Sequence, residues 1–476
     1  MNEKTLEVKA RGYALKNAIA HEGKAQAGSV ISALFVEGLK KEDMGKYGRK
    51  ISEIVNSVNK LSLEEQNKEF ESIKDDLSER DTREGLQELE DIPKNGVVMR
   101  FAPSPSGPMH IGHAATGMPS SIYVKKYGGK FYLRIEDTNP ENIDPDAYKM
   151  IPEEAKWLFG NVTGIIIQSD RMEKYYDFVE QLIKKDVAYI CDCDTEKFKD
   201  LIEAQKPCPC RNLSVKENME RWKKMLDKST KGYKEGDVVL RFKSNLKDSN
   251  PAMRDFPLAR IVEAKHPRQG NKYKVWPLMN LCVTLDDMEY GMTHIIRAKD
   301  HMDNAKRQAM IFEVFNKKIP KTYFLGRYNF NDLEISCSKT KIKIKAGEFT
   351  GWDDIRLPFI AALRKRGYQP KAFEDMAVQR GISDVDKVLS QEDYFQLLNN
   401  FNRHLLHELA IKVDFKSQKS KGKDSIEILM SNNKVVYGKA DLDIKKLKEG
   451  SIVHFIGLGY CRYNPKEKVK FWFAHE

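Results

Sequence analysis

His110 and His113 stand three residues apart in PSPSGPMHIGHAATG, with Gly112 between them. On a helix that spacing puts both rings on one face, and a glycine there lets a flat ring lie against the backbone. Two imidazole donors beside the free amides of a helix start make a phosphate cradle that needs no metal. On its own such a pair is more often a set of core or surface histidines. The elements that must position it are legible around it. Val97, Val98 and Met99 open a short apolar strand, a turn rich in Pro, Ser and Gly follows (Pro103, Pro105, Gly107, Pro108), and a helix begins at about His110. Past Gly128-Gly129, Phe131 to Ile135 form a second strand ending in Glu136 and Asp137. Strand, loop, helix, strand predicts the first unit of a doubly wound α/β sheet, where ligands sit at the carboxyl ends of strands against a helix N-terminus.

A second cluster could bind metal. Cys191-x-Cys193 is followed, fourteen residues on, by Cys208-x-Cys210. Two close thiol pairs flanking a short helix suit tetrahedral zinc, with four free thiols as the alternative. The chain has 476 residues and a net charge of +11, enough for three or four domains. That charge suits a polyanionic partner, although a Lys-rich solvated surface gives the same sum. Seven cysteines, four of them clustered, point to thiols or metal in a reducing compartment. No signal peptide and no apolar run of membrane-spanning length is present, so the expectation is a cytoplasmic protein without a membrane partner.

The string RFAPSPSGPMHIGHA resembles the HIGH signature of class I aminoacyl-tRNA synthetases, in the version carried by glutamyl-tRNA synthetases of the archaeal and eukaryotic type. Further fragments match in family order: QSDR with its Tyr pair, NPAMRDF, HPR, VWPL, the Asp286-Asp287 pair, THIIRAKDH and GWDDIRLP. SCSKT, Ser336 to Thr340, falls where the family has its KMSKS loop, and only Ser338-Lys339 match. The resemblance implies an enzyme that uses ATP and Mg²⁺ to activate L-glutamate and transfers it to tRNA(Glu). It makes His110, His113 and Lys339 catalytic, with Pro108, Gly112 and Ser338 beside them on ATP. It places Arg100, Ser104, Glu136 and Arg297 on glutamate, Arg100 forking onto the side-chain carboxylate and Glu136 holding the ammonium. It also puts the Cys knuckle, as a structural Zn²⁺ site, in the domain that grips the tRNA acceptor end. Glutaminyl-tRNA synthetases carry a Glu where this chain has Ser104, and a second carboxylate there would repel glutamate. Relatives usually place a Tyr, often followed by Asp, at Met279-Asn280. The alternatives are an enzyme that also charges tRNA(Gln), a glutaminyl-tRNA synthetase, or a catalytically inactive RNA-binding paralogue.

The expected architecture is a Rossmann-like doubly wound parallel sheet with additions. A helical N-terminal extension takes 1–94, its Leu61–Glu90 tail a solvated helix or linker; GKAQAGSV resembles the archaeal extension. The first catalytic half takes 95–190, with a strand at Ile165–Ile167, and the inserted acceptor-end domain 191–254. The second half, 255–350, follows the strand at Val238–Phe242 and has strands at Val283–Leu285 and His294–Arg297; by itself Asp286-Asp287 reads as a hairpin edge, and Lys339 to Lys345 as a loop with alternating lysines. A helical connector fills 351–412, and 413–476 is β-patterned. Archaeal-type relatives usually end in two anticodon-reading barrels, so this last stretch is expected to hold one abbreviated barrel.

Overall fold

The computed structural model describes residues 3–21, 23–40, 43–74, 77, 85–422 and 425–476. The chain separates into two units, 1–83 and 84–476. The first holds helices α1 (Glu3–Ala20), α2 (Ala27–Val36), α3 (Met44–Val58) and α4 (Leu63–Ile73). They close over Leu6, Ala10, Ala14, Leu34, Ile51 and Val55, the recurring apolar positions. Ser62 starts α4 with a reciprocal cap on Glu65. Much of the expected linker, 75–76 and 78–84, lies outside the described residues. Residues 85–94 belong to the second unit, where Leu89 joins the core.

In that unit β1 (Val97–Phe101) leads through a loop into α5 (Ile111–Tyr127), and β2 (Gly129–Ile135) follows. Gly129 has φ +112°, and a Cβ there would sit 2.0 Å from Val97 O, so only glycine lets β2 start this close to β1. Next come α6 (Ala147–Phe159), β3 (Gly164–Ile167) and α7 (Met172–Lys184). An inserted antiparallel sheet is built from β4 (Ala188–Cys191), β5 (Val239–Phe242), β6 (Pro257–Ile261) and β7 (Val275–Pro277), with α8 (Thr195–Glu203) and α9 (Val215–Leu226) after β4. The chain then returns through α10 (Met279–Glu289), β8 (His294–Ala298), α11 (Met302–Val314) and β9 (Lys321–Leu325). β1, β2 and β3 pair in parallel, as do β8 and β9. Thr293 N–H donates to Val98 O at 2.9 Å, setting β8 beside β1. The spatial order β3-β2-β1-β8-β9 therefore reverses direction between β1 and β8, the crevice where such sheets bind ligands.

The expected strand at Val283–Leu285 is instead the middle of α10. Asn280 to Asp287 are all buried, so the body of the helix shows no polar face to the solvent, and only Glu289 at its end is exposed. Asp286 and Asp287 are correspondingly not a hairpin edge; both are buried on α10.

Downstream lie β10 (Tyr328–Phe330), α12 (Cys337–Lys345), α13 (Ile360–Arg366), α14 (Pro370–Arg380), β11 (Lys387–Leu389) and α15 (Gln391–Leu409). The SCSKT stretch, expected as a loop, is the start of α12: Ser336 caps it by accepting the Lys339 N–H. A seven-stranded, barrel-like sheet ends the described chain: β12 (Ile411–Asp414), β13 (Lys416–Gln418), β14 (Ile426–Leu429), β15 (Val435–Lys439), β16 (Ile452–Ile456), β17 (Gly459–Tyr463) and β18 (Phe471–His475). Its core is Ile428, Val453, Phe455, Cys461 and Phe471. Among the described residues no helix is long and apolar enough to cross a membrane.

Candidate active site

His110 is the N-cap of α5. Its Nδ1 accepts the Gly112 N–H at 3.1 Å, and His113 Nδ1 accepts the His110 N–H at 3.3 Å. The rings stack with centroids 3.8 Å apart. A Cβ on Gly112 would come within 3.0 Å of the His110 ring, which explains the residue between them. Burial lowers the pKa of both: His113 falls to about 4, and His110 falls well below 6.5 by burial and the neighbouring His113. Both are neutral at pH 7, and with Nδ1 spent on the backbone the ring proton is assigned to Nε2. Beneath them Glu154 accepts the Met109 N–H at 2.6 Å, and burial pushes its carboxyl up to about 8.

The pair lines a cleft of about 540 Å³ together with Gly112, Arg327, Glu334 and Arg380. That is ample for a nucleotide. Lys339, exposed on the first turn of α12, reaches it through Glu334, 3.1 Å from Nζ. α12 is held close by two contacts. Cys337 packs on Gly107 and donates to Pro108 O at 3.7 Å, and Lys341 pairs with buried Asp144 at 2.9 Å. Ser338 lies on the same turn, its hydroxyl 3.1 Å from Ser336 Oγ.

The carboxyl end of β8 brings Ala298 to the cleft and Arg297 just before it. Arg297 is 7% exposed. Its Nη1–H donates to Gln308 Oε1 at 3.0 Å, Nη2 meets only the thioether of Met279 at 3.6 Å, and Nε is buried with no partner. No carboxylate pairs with it among the described residues, and burial with the charge of Arg100 lowers its pKa to about 10. Arg100, expected to present a free fork, instead gives Nε and Nη2 to Asp287, at 2.9 and 3.1 Å. Its Nη1 is left over. Glu136 receives Arg134 Nε and Nη2 on Oε1 alone, at 3.3 and 3.0 Å, which leaves Oε2 available. Ser104 is exposed on the β1–α5 loop, where Pro108 is buried. The structure thus gathers Arg100, Glu136 and Arg297 within electrostatic range of one another, and Arg297 directly precedes Ala298, which lines the histidine cleft.

The family model for class I tRNA synthetases (E and Q), catalytic domain, matches residues 96–408. A glutamate–tRNA ligase of Methanosphaera stadtmanae is 39% identical over 443 residues, 90% of this chain and 77% of that protein. One from Methanocaldococcus jannaschii is 40% identical over 416 residues, 87% and 72% of the two chains. This chain belongs to the class I tRNA synthetases of that family. A solved glutamate tRNA ligase from Elizabethkingia meningosepticum superposes with a TM-score of 0.47 at 21% identity, over 66% of this chain and 70% of that one.

In this synthetase the four cysteines of the inserted domain converge. Their Sγ atoms all lie within 4.8 Å of one another, with Cys191–Cys208 at 3.9 Å and Cys193–Cys210 at 3.6 Å. Zn–S bonds of about 2.3 Å in a tetrahedron imply an S–S edge of about 3.8 Å, so the spacing fits a Cys₄ zinc site. β4 delivers Cys191, and the turn around Pro209 delivers Cys208 and Cys210.

Three residues of the synthetase's pocket escaped the sequence reading: Arg134, Asp287 and Glu154. Arg134 left a trace, as a charge inside the apolar run FYLRI. Asp287 stood out only as half of the Asp286-Asp287 fragment, with no role attached, and Glu154 left no trace, because their partners are distant in sequence.

Proposed function

We propose that this class I synthetase is a glutamate–tRNA ligase working through the residues gathered at the β1–β8 switch point. An α-carboxylate oxygen of glutamate attacks the α-phosphorus of ATP, and pyrophosphate leaves with the electrons of the broken P–O bond. The terminal ribose hydroxyl of tRNA then attacks the adenylate carbonyl, and AMP leaves. Neither step needs a covalent enzyme intermediate, so catalysis is positioning plus stabilisation of charge on phosphate. His110 and His113 donate Nε2–H to the triphosphate. Lys339 leaves Glu334 for the phosphates, with the Ser338 hydroxyl and the loop at Pro108 and Gly112 beside it. Mg²⁺ travels with ATP and neutralises phosphate charge.

The observation that carries the glutamate assignment is Arg297, a buried cation with no carboxylate in ion-pair contact among the described residues and an orphaned Nε. A carboxylate ligand supplies what it lacks, and a carboxamide does not. Arg100 adds its remaining Nη1, Glu136 offers Oε2 to the ammonium, and Ser104, exposed on the β1–α5 loop, joins them by its family position. The four cysteines hold Zn²⁺, whose contribution is a cross-link between β4 and the following turn. The inserted domain that carries it contacts the acceptor end of the tRNA.

The test is ATP–pyrophosphate exchange with tRNA present, supplying glutamate or glutamine. Exchange with glutamate alone, lost in Arg297→Ala with the protein still folded, is the expected result. Undiminished exchange in that variant removes the assignment.

A further inference from the structure

Arg134 is fully buried on β2 and touches two acids at once. Nη1–H donates to Asp287 Oδ1 at 2.6 Å, while Nε and Nη2 donate to Glu136 Oε1. Asp287 in turn takes both Arg100 contacts. The result is one unbroken chain, Glu136–Arg134–Asp287–Arg100, that passes from β2 through α10 to β1. Its two ends are the groups assigned above to the two ends of glutamate.

We infer that Arg134 and Asp287 are positioning residues that set the distance between the ammonium-binding carboxylate and the side-chain-binding guanidinium, and so measure substrate length. The inference rests on the assignment of Glu136, Arg100 and Arg297 to glutamate. The geometry has the parts a ruler needs. Asp287 fixes Arg100 bidentately, which orients the plane of that guanidinium. Arg134 fixes Glu136 by two N–H groups converging on one oxygen, which aims the other oxygen away. Because the Arg134–Asp287–Arg100 links are buried and the Glu136 link is half-buried and doubly held, the chain is stiff, and a shift at one end reaches the other. Aspartate is shorter than glutamate by one methylene, so a pocket of fixed span binds it at only one end at a time.

The neighbouring acid supplies a control. Asp286 is as buried and sits on the same helix, yet its oxygens serve Arg171 (2.8 Å), Tyr175 (2.9 Å) and Gln168 (2.9 Å). Its nearest link to the chain is a 3.9 Å approach to Arg134 Nε. It stabilises the fold without aiming either end of the pocket.

The experiment measures exchange kinetics in the full chain, with tRNA, varying glutamate, aspartate and ATP separately. Arg134→Lys and Asp287→Asn raise KM for glutamate about tenfold or more, as expected for a displaced binding group, and leave KM for ATP within about twofold. The glutamate-over-aspartate ratio of kcat/KM falls by about tenfold, within the range one methylene controls. Asp286→Asn lowers Tm without this split. Should either variant not fold, Asp287→Glu keeps every charge and shifts the carboxylate by one methylene, and the same split is expected. Parallel rises in both KM values, the split appearing in Asp286→Asn, or an unchanged glutamate KM in folded variants each overturn the inference. If Arg297→Ala also leaves glutamate KM unchanged, the pocket assignment has failed; if it raises KM while Arg134→Lys and Asp287→Asn do not, only the ruler has.

Discussion

His110 and His113 lie face to face, 3.8 Å between ring centroids and 20° from parallel. Two protonated rings could not stay so close, and burial already holds His113 near a pKa of about 4. Between pH 6.5 and 4 the unfolded chain therefore binds a proton at this residue that the folded chain refuses. The sign is set by that difference: stability falls as pH drops through this window and is flat above it. The full depression amounts to roughly 3 kcal/mol for His113, an upper figure because the ring is part-exposed. Tm measured from pH 7 to pH 5 should decline more in the wild type than in His113→Asn.

Glu154 titrates in the opposite sense beneath the same loop. Its carboxyl is raised to about 8 by burial, so the folded chain holds a proton that the unfolded chain releases above about 4.5. Stability from this residue is present at low pH and lost as pH rises towards 8. Glu154→Gln, which still can accept the Met109 N–H, should raise the unfolding free energy measured in urea at pH 8 by an amount on the order of 1–3 kcal/mol and change it little at pH 5.

Arg297 sets stability against function. Removing an unpaired buried cation relieves its desolvation, so Arg297→Met should gain about 1–2 kcal/mol in urea unfolding. The same variant should lose glutamate-dependent exchange by about 100-fold or more, because an acidic substrate then loses the one buried cation that no carboxylate of the protein engages, and keeps only the spare Nη1 of Arg100. A variant that is both less stable and fully active contradicts this account of the site.

Metal analysis should return one zinc per chain, and Cys208→Ser should lose it. Hydrogen exchange in the 191–213 segment should then speed up, with the catalytic sheet unaffected. Protein purified free of metal and equally stable would show that the four thiols merely pack together.

Lys339 and Glu334 form an exposed pair, so its strength is small. Lys339→Ala should cut exchange by about 100-fold through the lost phosphate contact. Glu334→Gln frees the lysine and should lower KM for ATP by no more than about fivefold, the scale of a surface ion pair. Steady-state kinetics in ATP separates the two.

The parts of the fold legible in the sequence are those with a local signature. β1, β2, β3 and β8 are short apolar runs bounded by Gly, Pro or charge, and the His pair announces its own helix cap. α10 differs from the expected strand for a physical reason: buried all round from Asn280 to Asp287, it shows no stripe of period 3.6, and Val283-Thr284-Leu285 reads as a buried strand. In α12 the alternating Lys and Ile of KIKIK imitate an exposed loop or strand, whereas Ser336 caps a helix that buries Cys337 and Thr340. The pairing of Asp287 was beyond reach because Arg100, its partner, lies 187 residues away. The gathering of Arg100, Glu136 and Arg297 was foreseeable only through the family pattern; that Arg297 is the cation left without a partner was not.

The orientation of the two imidazoles also limits what the cleft can do. Each spends its lone-pair nitrogen on a main-chain amide, so what faces outward is hydrogen, never a proton acceptor. A nucleophile arriving there receives no help in shedding a proton. The first displacement suits such a surface, since an amino acid's carboxylate is already ionised at neutral pH, whereas the ribose hydroxyl must find its base on the nucleotide or in the solvent.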